Sequence, residues 1–224
     1  MKSPPLAVHG GAVYPYSLDL HDKFRLESRF EDEFELCLQH EQELWVPRRF
    51  APVGGDTVDL RTDGLPYDFQ VSFKARHADQ QRVVDETLNL LTAGVSHIVQ
   101  APTGYGKTFI GARMAGHVRR YTLVLTTKED LMQHWRKAAR EVLNLPDDLI
   151  GEWRGDTVPR PDQPFVVGLV HSVLKGPQRY PDDIFKRFGF VLCDEVHRMG
   201  ADQFTMAMWW LPARLRAGLS ATPY

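Results

Sequence analysis

The chain has 224 residues, enough for one α/β domain and a smaller module. Hydrophobic residues make up 43% and charged residues 25%, the balance of an ordinary globular protein, and no run approaches the ~20 apolar residues of a membrane span. A net charge of -2 excludes a chain that is basic throughout, so any surface for nucleic acid must be local.

Residues 1–70 read as a small α+β module. Met1-Lys-Ser-Pro-Pro5 lacks the apolar core of a secretion signal. Leu6–Tyr14 predicts two short strands around Gly10-Gly11, a hairpin. Arg29–His40 predicts an amphipathic helix, with Phe30, Phe34, Cys37 and Leu38 on one face and acids opposite. Trp45–Phe50 reads as extended, because Pro47 keeps the residue before it out of the helical region. Arg48 and Arg49 beside Trp45 and Phe50 have two readings: a nucleic-acid contact, or solvated cations next to aromatics that close a small core. Residues 51–70, with Gly54, Gly55, Gly64 and Pro66, read as a loop-rich connection, and the module boundary is placed near residue 70. Cys37 and Cys193 lack metal-ligand spacing and read as reduced, packed thiols of a reducing, intracellular (cytoplasmic or nuclear) compartment.

From residue 71 the grammar changes. Arg76–Asp85 opens a helix that runs to about Thr92 and is capped by Asp79 or a neighbour. Gln80 at its start carries an amide that could pair with both edges of adenine, or simply a polar surface side chain. The apolar run His97–Gln100 then leads into Ala101-Pro-Thr-Gly-Tyr-Gly-Lys-Thr108 and a helical pattern, Phe109–Val118. Strand, glycine-containing loop, Lys-Thr and helix is the order of a P-loop. Pro102, Thr103, Gly104, Tyr105 and Gly106 form the loop, and its two glycines let successive N–H groups point at a phosphate beside the positive end of the new helix. Lys107 can reach the β- and γ-phosphates of ATP, and the Thr108 hydroxyl can bind Mg²⁺. Ala101 stands where the usual pattern has glycine, and the competing reading is an ordinary strand-to-helix turn with an incidental surface lysine.

Apolar runs recur at 121–126, 165–170, 190–194 and 215–220, with helices predicted at 129–143 and near 181–188. Pro146 ends the first of these helices, and the Gly-, Pro- and Asp-rich stretch before Phe165 reads as loop. Strands alternating with helices predict a parallel sheet flanked by helices. Asp194-Glu195-Val196-His197 follows the strand Phe190–Cys193 directly, which places both acids at its carboxyl end, on the edge where the P-loop lies. Asp194 would hold Mg²⁺, and Glu195 would orient and deprotonate an attacking water. Ser220-Ala-Thr-Pro223 ends the last strand at the same edge, where Ser220 and Thr222 could bond the acid loop and sense the γ-phosphate, or form a plain turn into Pro223. His197 reads either as a coupling residue or as a loop histidine.

Ala101–Thr108, Asp194–His197 and Ser220–Pro223, in this order, resemble motifs I, II and III of superfamily 2 helicases. Thr126-Thr-Lys128, continuing to Gln133 and Trp135, is similar to motif Ia, and Val170-His-Ser-Val173 loosely resembles the next DNA-contacting segment. Leu211–Pro223 resembles the branch related to xeroderma pigmentosum group B, with its phage and restriction-type relatives. The resemblance spans about residues 73–223 and implies the first RecA-like domain of a P-loop NTPase that binds ATP and Mg²⁺ and contacts DNA or RNA. It further implies that Gln80 reads adenine and that Thr127, Lys128 and Ser172 touch the nucleic-acid backbone. Such motors use a second RecA-like domain that supplies an arginine finger. No such domain follows Tyr224 here, so ATP binding with little hydrolysis is expected of this chain alone. Two other readings compete: a non-catalytic nucleic-acid-binding module, and a small-molecule kinase, against which the acid pair and the Ser-Ala-Thr-Pro segment argue.

Overall fold

The computed structural model of the chain describes residues 7–8, 11–15, 38–40, 43–47, 58–196 and 207–221. The first strands are β1 (Ala7–Val8), β2 (Gly11–Pro15), β3 (Leu38–His40), β4 (Glu43–Pro47) and β5 (Val58–Asp59). They make a five-stranded sheet in the order β3-β4-β2-β1-β5. β1 and β2 pair antiparallel as the Gly10-Gly11 hairpin signal requires. Leu38–His40 departs from expectation. These residues were assigned to the end of an amphipathic helix, but they pair antiparallel with β4, Leu38 opposite Trp45. The rest of that helix, and Arg48, Arg49 and Phe50, lie outside the described residues.

The second sheet contains β6 (His97–Gln100), β7 (Thr122–Thr126), β8 (Ile150–Trp153), β9 (Phe165–Leu169), β10 (Phe190–Cys193) and β11 (Leu215–Ser220). Its order is β6-β11-β10-β7-β9-β8, with every pair parallel. Every residue of β7, β9 and β10 is buried, as strands covered on both faces must be. β8 was not expected: Gly151 and Glu152 interrupt its apolar character, so the stretch before Phe165 read as loop throughout.

On one face lie α1 (Ala78–Thr92), α2 (Lys107–Val118) and α3 (Glu129–Leu143). Val84 and Leu88 of α1, Ile110 and Met114 of α2, and Met132, Trp135 and Val142 of α3 meet Val99, Val124, Val167 and Leu192 of the sheet. Helical spacing of these side chains buries one stripe of each helix. A fully buried side chain of this size contributes about 1.5–3 kcal/mol. α3 ends where Asn144 takes a left-handed conformation, φ 50°, and Pro146 follows. On the other face the short helices α4 (Val170–Val173) and α6 (Asp182–Lys186), with residues 207–211, cover Leu123, Leu125, Val191 and Cys193. Between them runs one further turn, α5 (Gly176–Arg179).

Residues 62–72 run along the amino ends of the strands. Thr62 N–H donates to Pro212 O at 3.0 Å, Leu65 N–H to Arg187 O at 2.8 Å, and Ser72 N–H to Val142 O at 2.7 Å. Phe69 is buried in the larger core. At the start of β11, Arg214 pairs with Asp59 and Asp63 at 3.0 and 2.8 Å. Next to it, the half-buried Arg216 donates to Met208 O at 2.9 Å and Leu211 O at 2.6 Å, fixing residues 207–211 over the sheet. Burial pushes the Arg216 guanidinium down to about 10.

Candidate active site

The carboxyl ends of β6, β11 and β10 put the three expected segments side by side. β11 lies between the other two, so the loop after β6 and the acids after β10 flank Ser220. Ser220 is buried, and its carbonyl accepts the Ala101 N–H at 3.0 Å, which joins the end of β11 to the first residue of the loop.

Ala101–Gly106 is a loop that only glycine can close at two points. Gly104 and Gly106 have φ of 80° and 93°, where an L side chain is strained. Gly106 is also crowded, since a Cβ there would lie 2.8 Å from Gln80 Nε2. Among the described residues, the amides of Gly104 and Gly106 donate to no protein acceptor, while α2 adds the free N–H groups of its first turn. The concavity therefore suits a phosphate. Lys107 is buried at the base of the loop, and its ammonium donates to Ala101 O at 3.0 Å and Pro102 O at 3.4 Å. An exposed, incidental lysine would not be held in this way. Thr108 occupies the first turn of α2, half-buried.

Gln80 is almost fully buried rather than a surface residue. Its amide donates to Tyr105 O at 2.7 Å, and its carbonyl accepts the Arg76 N–H at 2.7 Å. Each amide group has a second bonding position left. The helix cap is His77, not Asp79: its Nδ1 accepts the Gln80 N–H at 3.2 Å, while its ring meets Tyr105 edge-on at 5.5 Å. Arg76 reaches Gly104 O at 3.4 Å. Phe73, Arg76, Gln80, Gly106 and Phe109 line a cleft of about 400 Å³ beside the loop. Phe73 and His77 carry no motif, and only their nearness to Gln80 in the chain could have drawn attention to them.

Asp194 is buried at the end of β10 and accepts the indole N–H of Trp135 on Oδ2 at 2.7 Å. Burial holds its carboxyl above the usual range, opposed by the Trp135 hydrogen bond, while the Glu195 charge beside it adds to the rise. Two neighbouring acids in a buried site, one destabilised as an anion, fit a divalent cation. Among the described residues no three of His, Cys, Asp and Glu converge as a cage. Mg²⁺ held by one or two carboxylates and nucleotide phosphates requires none. Glu195 takes a left-handed backbone, φ 50°, rare for a side chain without local hydrogen-bonding reach and typical of strain kept at functional sites. His197 and Thr222 lie outside the described residues.

Thr127 and Lys128 follow β7 at the same carboxyl edge, Thr127 half-buried and Lys128 exposed before the first turn of α3. Ser172 is placed differently from the expected contact. It is fully buried, and its hydroxyl accepts the Gly155 N–H at 3.0 Å, so it secures the loop after β8 while its neighbour His171 is exposed. What sequence reasoning missed is the partner of Trp135: the residue closes the segment similar to motif Ia, and its indole N–H goes to an acid of the site.

Residues 73–224 match the family described as type III restriction enzyme, res subunit. The chain is 35% identical over 169 residues to DNA 3'-5' helicase XPB of Kineococcus radiotolerans, covering 74% of this chain and 28% of that protein. It is 30% identical over 146 residues to DNA 3'-5' helicase XPB of Mycobacterium tuberculosis, covering 64% of this chain and 26% of that one. The chain thus spans about a quarter of the length of these relatives. In fold it is similar to the UvsW helicase from bacteriophage T4, with a TM-score of 0.55 at 20% identity over 70% of this chain and 56% of that one. The Sulfolobus solfataricus SWI2/SNF2 ATPase core in complex with dsDNA has a TM-score of 0.52 at 14% identity, over 70% of this chain and 34% of that one.

Proposed function

The chain belongs to the family of the type III restriction enzyme res subunit, and from that premise we propose that residues 71–224 are the first RecA-like domain of an ATP-dependent DNA helicase or translocase. The observation that carries this reading is the seating of the Lys107 ammonium under a loop whose glycine amides are unused, at the sheet edge that also presents Asp194. When ATP enters, Lys107 exchanges the carbonyls of Ala101 and Pro102 for phosphate oxygens. The loop amides and the first turn of α2 hold the remaining oxygens. The Thr108 hydroxyl and the Asp194 carboxylate are the groups that would hold Mg²⁺, which supplies charge neutralisation at the phosphates. Glu195 takes the proton of the attacking water. Gln80 keeps its bonds to Tyr105 and Arg76 and uses its second positions on adenine in the cleft beside Phe73.

Thr127 and Lys128 contact the backbone of the nucleic acid, a phosphate interaction without sequence readout. Ser220, His197 and Thr222 report the state of the nucleotide to that surface. The sheet of β1–β5 is a module that adds to recognition, and residues 62–72 tie it to the α/β domain.

Titration of labelled single- and double-stranded DNA, with and without a non-hydrolysable ATP analogue and Mg²⁺, tests the reading. DNA affinity that shifts with nucleotide, and a salt slope reduced by about one in Lys128→Ala, are expected. DNA binding indifferent to nucleotide and to Lys107→Ala would assign the chain to recognition alone.

A further inference from the structure

Trp135 links the helix that follows the P-loop to the acid at the end of β10. It sits in the middle of α3, fully buried. Its indole N–H, a donor with no acceptor capacity, is spent on the carboxylate of Asp194 at 2.7 Å and not on a backbone carbonyl. The far edge of the ring presses on α2 at Gly111, where a Cβ would come within 2.5 Å of the ring and 2.6 Å of Leu192. Only glycine leaves room there for the indole to lie between the P-loop helix and the acid strand. Its other edge meets Phe165 of β9, ring centroids 6.4 Å apart. A tryptophan needed for bulk alone could face any of these neighbours. This one directs its only polar atom at an acid 59 residues away in the chain.

We propose that Trp135 is a positioning residue for the Mg²⁺-binding acid, which rests on the reading of Asp194 given above. By holding Oδ2, the indole fixes the orientation in which the carboxylate would meet the metal. It also makes that orientation depend on where α3 lies. Lys128, the proposed backbone contact, immediately precedes the first turn of the same helix. A pull on that end of α3 by nucleic acid moves Trp135, two turns on, and with it the carboxylate. The pairing is therefore a physical link by which nucleic acid changes the affinity for the nucleotide–metal pair. Groups that orient a metal ligand from behind typically change metal affinity about 10–100-fold when removed.

The test uses the whole chain and a fluorescent ATP analogue, titrated with Mg²⁺ in Trp135→Phe, Asp194→Asn and Leu143→Ala. Leu143 is buried in the same core at the carboxyl end of α3, so its substitution controls for loss of stability. Trp135→Phe is expected to raise the Mg²⁺ concentration at half-saturation about 10-fold or more, to leave metal-free nucleotide affinity unchanged, and to blunt the effect of DNA on nucleotide affinity. Leu143→Ala is expected to keep the wild-type Mg²⁺ dependence. A folded Trp135→Phe with unchanged Mg²⁺ dependence, while Asp194→Asn shifts it, overturns the positioning role alone. An equal shift in Leu143→Ala also overturns it. If Asp194→Asn shifts nothing, the metal reading of the acid fails and takes the proposal with it. Should Trp135→Phe not fold, NMR of the wild-type chain decides. The Trp135 indole N–H signal, assigned by substituting Trp45, Trp153, Trp209 and Trp210 in turn, is expected to move when Mg²⁺ joins the bound analogue. An unmoved signal overturns the proposal.

Discussion

Gln80 donates its side-chain amide to the carbonyl of Tyr105 at 2.7 Å, so the first turn of α1 holds the P-loop at its tip. The same amide oxygen accepts the Arg76 N–H, and Gly106 leaves space for the group where a Cβ would sit 2.8 Å from Nε2. A single buried side chain thus serves the loop's shape and the cleft beside it.

Gln80→Ala leaves the Arg76 amide and the Tyr105 carbonyl without their partner. Both bonds are only part-buried, so losing each costs about 0.5–1.5 kcal/mol. The variant is expected to melt lower, by about 2–4 °C for each kcal/mol in a chain of this size, and to lose its preference for adenine over guanine nucleotides. Competition between ATP and GTP analogues, with a thermal melt of the same sample, checks both parts.

Asp194→Asn is expected to stabilise the protein in metal-free buffer while removing Mg²⁺-dependent nucleotide binding. Burial raises the acid's pKa in the folded chain, so its ionised form opposes folding at neutral pH. The sign follows: this penalty is absent below the pKa of the unfolded acid and grows as pH rises through the folded one. Asparagine keeps an oxygen for the Trp135 N–H and carries no charge. A higher melting midpoint than wild type is expected at pH 7, and the difference is expected to vanish in acid.

Cys193 is expected to be inert in the folded protein. It is fully buried, and burial pushes its thiol up to about 12. A thiol reagent at pH 8 is therefore expected to reach Cys193 only after denaturation. Because the unfolded thiol ionises first, stability linked to this group is intact below its ordinary pKa and falls as pH rises toward 12. Mass mapping of labelled peptides before and after unfolding distinguishes Cys193 from Cys37.

Much of the fold and of the candidate phosphate site was legible because such features are built from adjacent residues. A loop that cradles phosphate must be contiguous, and acids at a strand's carboxyl end directly follow its apolar run, as Asp194 and Glu195 follow Phe190–Cys193. Features set by distant partners were not legible. Trp135 and Asp194 are joined only by the packing of α3 on β10, and helical spacing marks Trp135 merely as buried. Ser172 resembled a contact residue, yet its short hydroxyl turns inward to the Gly155 amide. β8 escaped because Gly151 and Glu152 break the apolar run of a strand whose burial comes from its neighbours. The cap, read as Asp79 or a neighbour, is His77, whose backbone is extended and whose ring nitrogen meets the Gln80 amide. Leu38–His40 fitted a helical stripe until cross-strand pairing with β4 claimed it, a tertiary preference that local periodicity does not carry.

The most direct test of nucleotide binding at this sheet edge is the affinity of a non-hydrolysable ATP analogue for the chain and for Lys107→Ala, each with and without Mg²⁺. Charge-assisted bonds from Lys107 to phosphate are worth about 1.5–3 kcal/mol, so a loss of roughly 10-fold or more is expected in Lys107→Ala. Mg²⁺ is expected to strengthen binding in the wild-type chain. Equal affinity in the two proteins, unchanged by Mg²⁺, would contradict the assignment of Ala101–Thr108 as an ATP site.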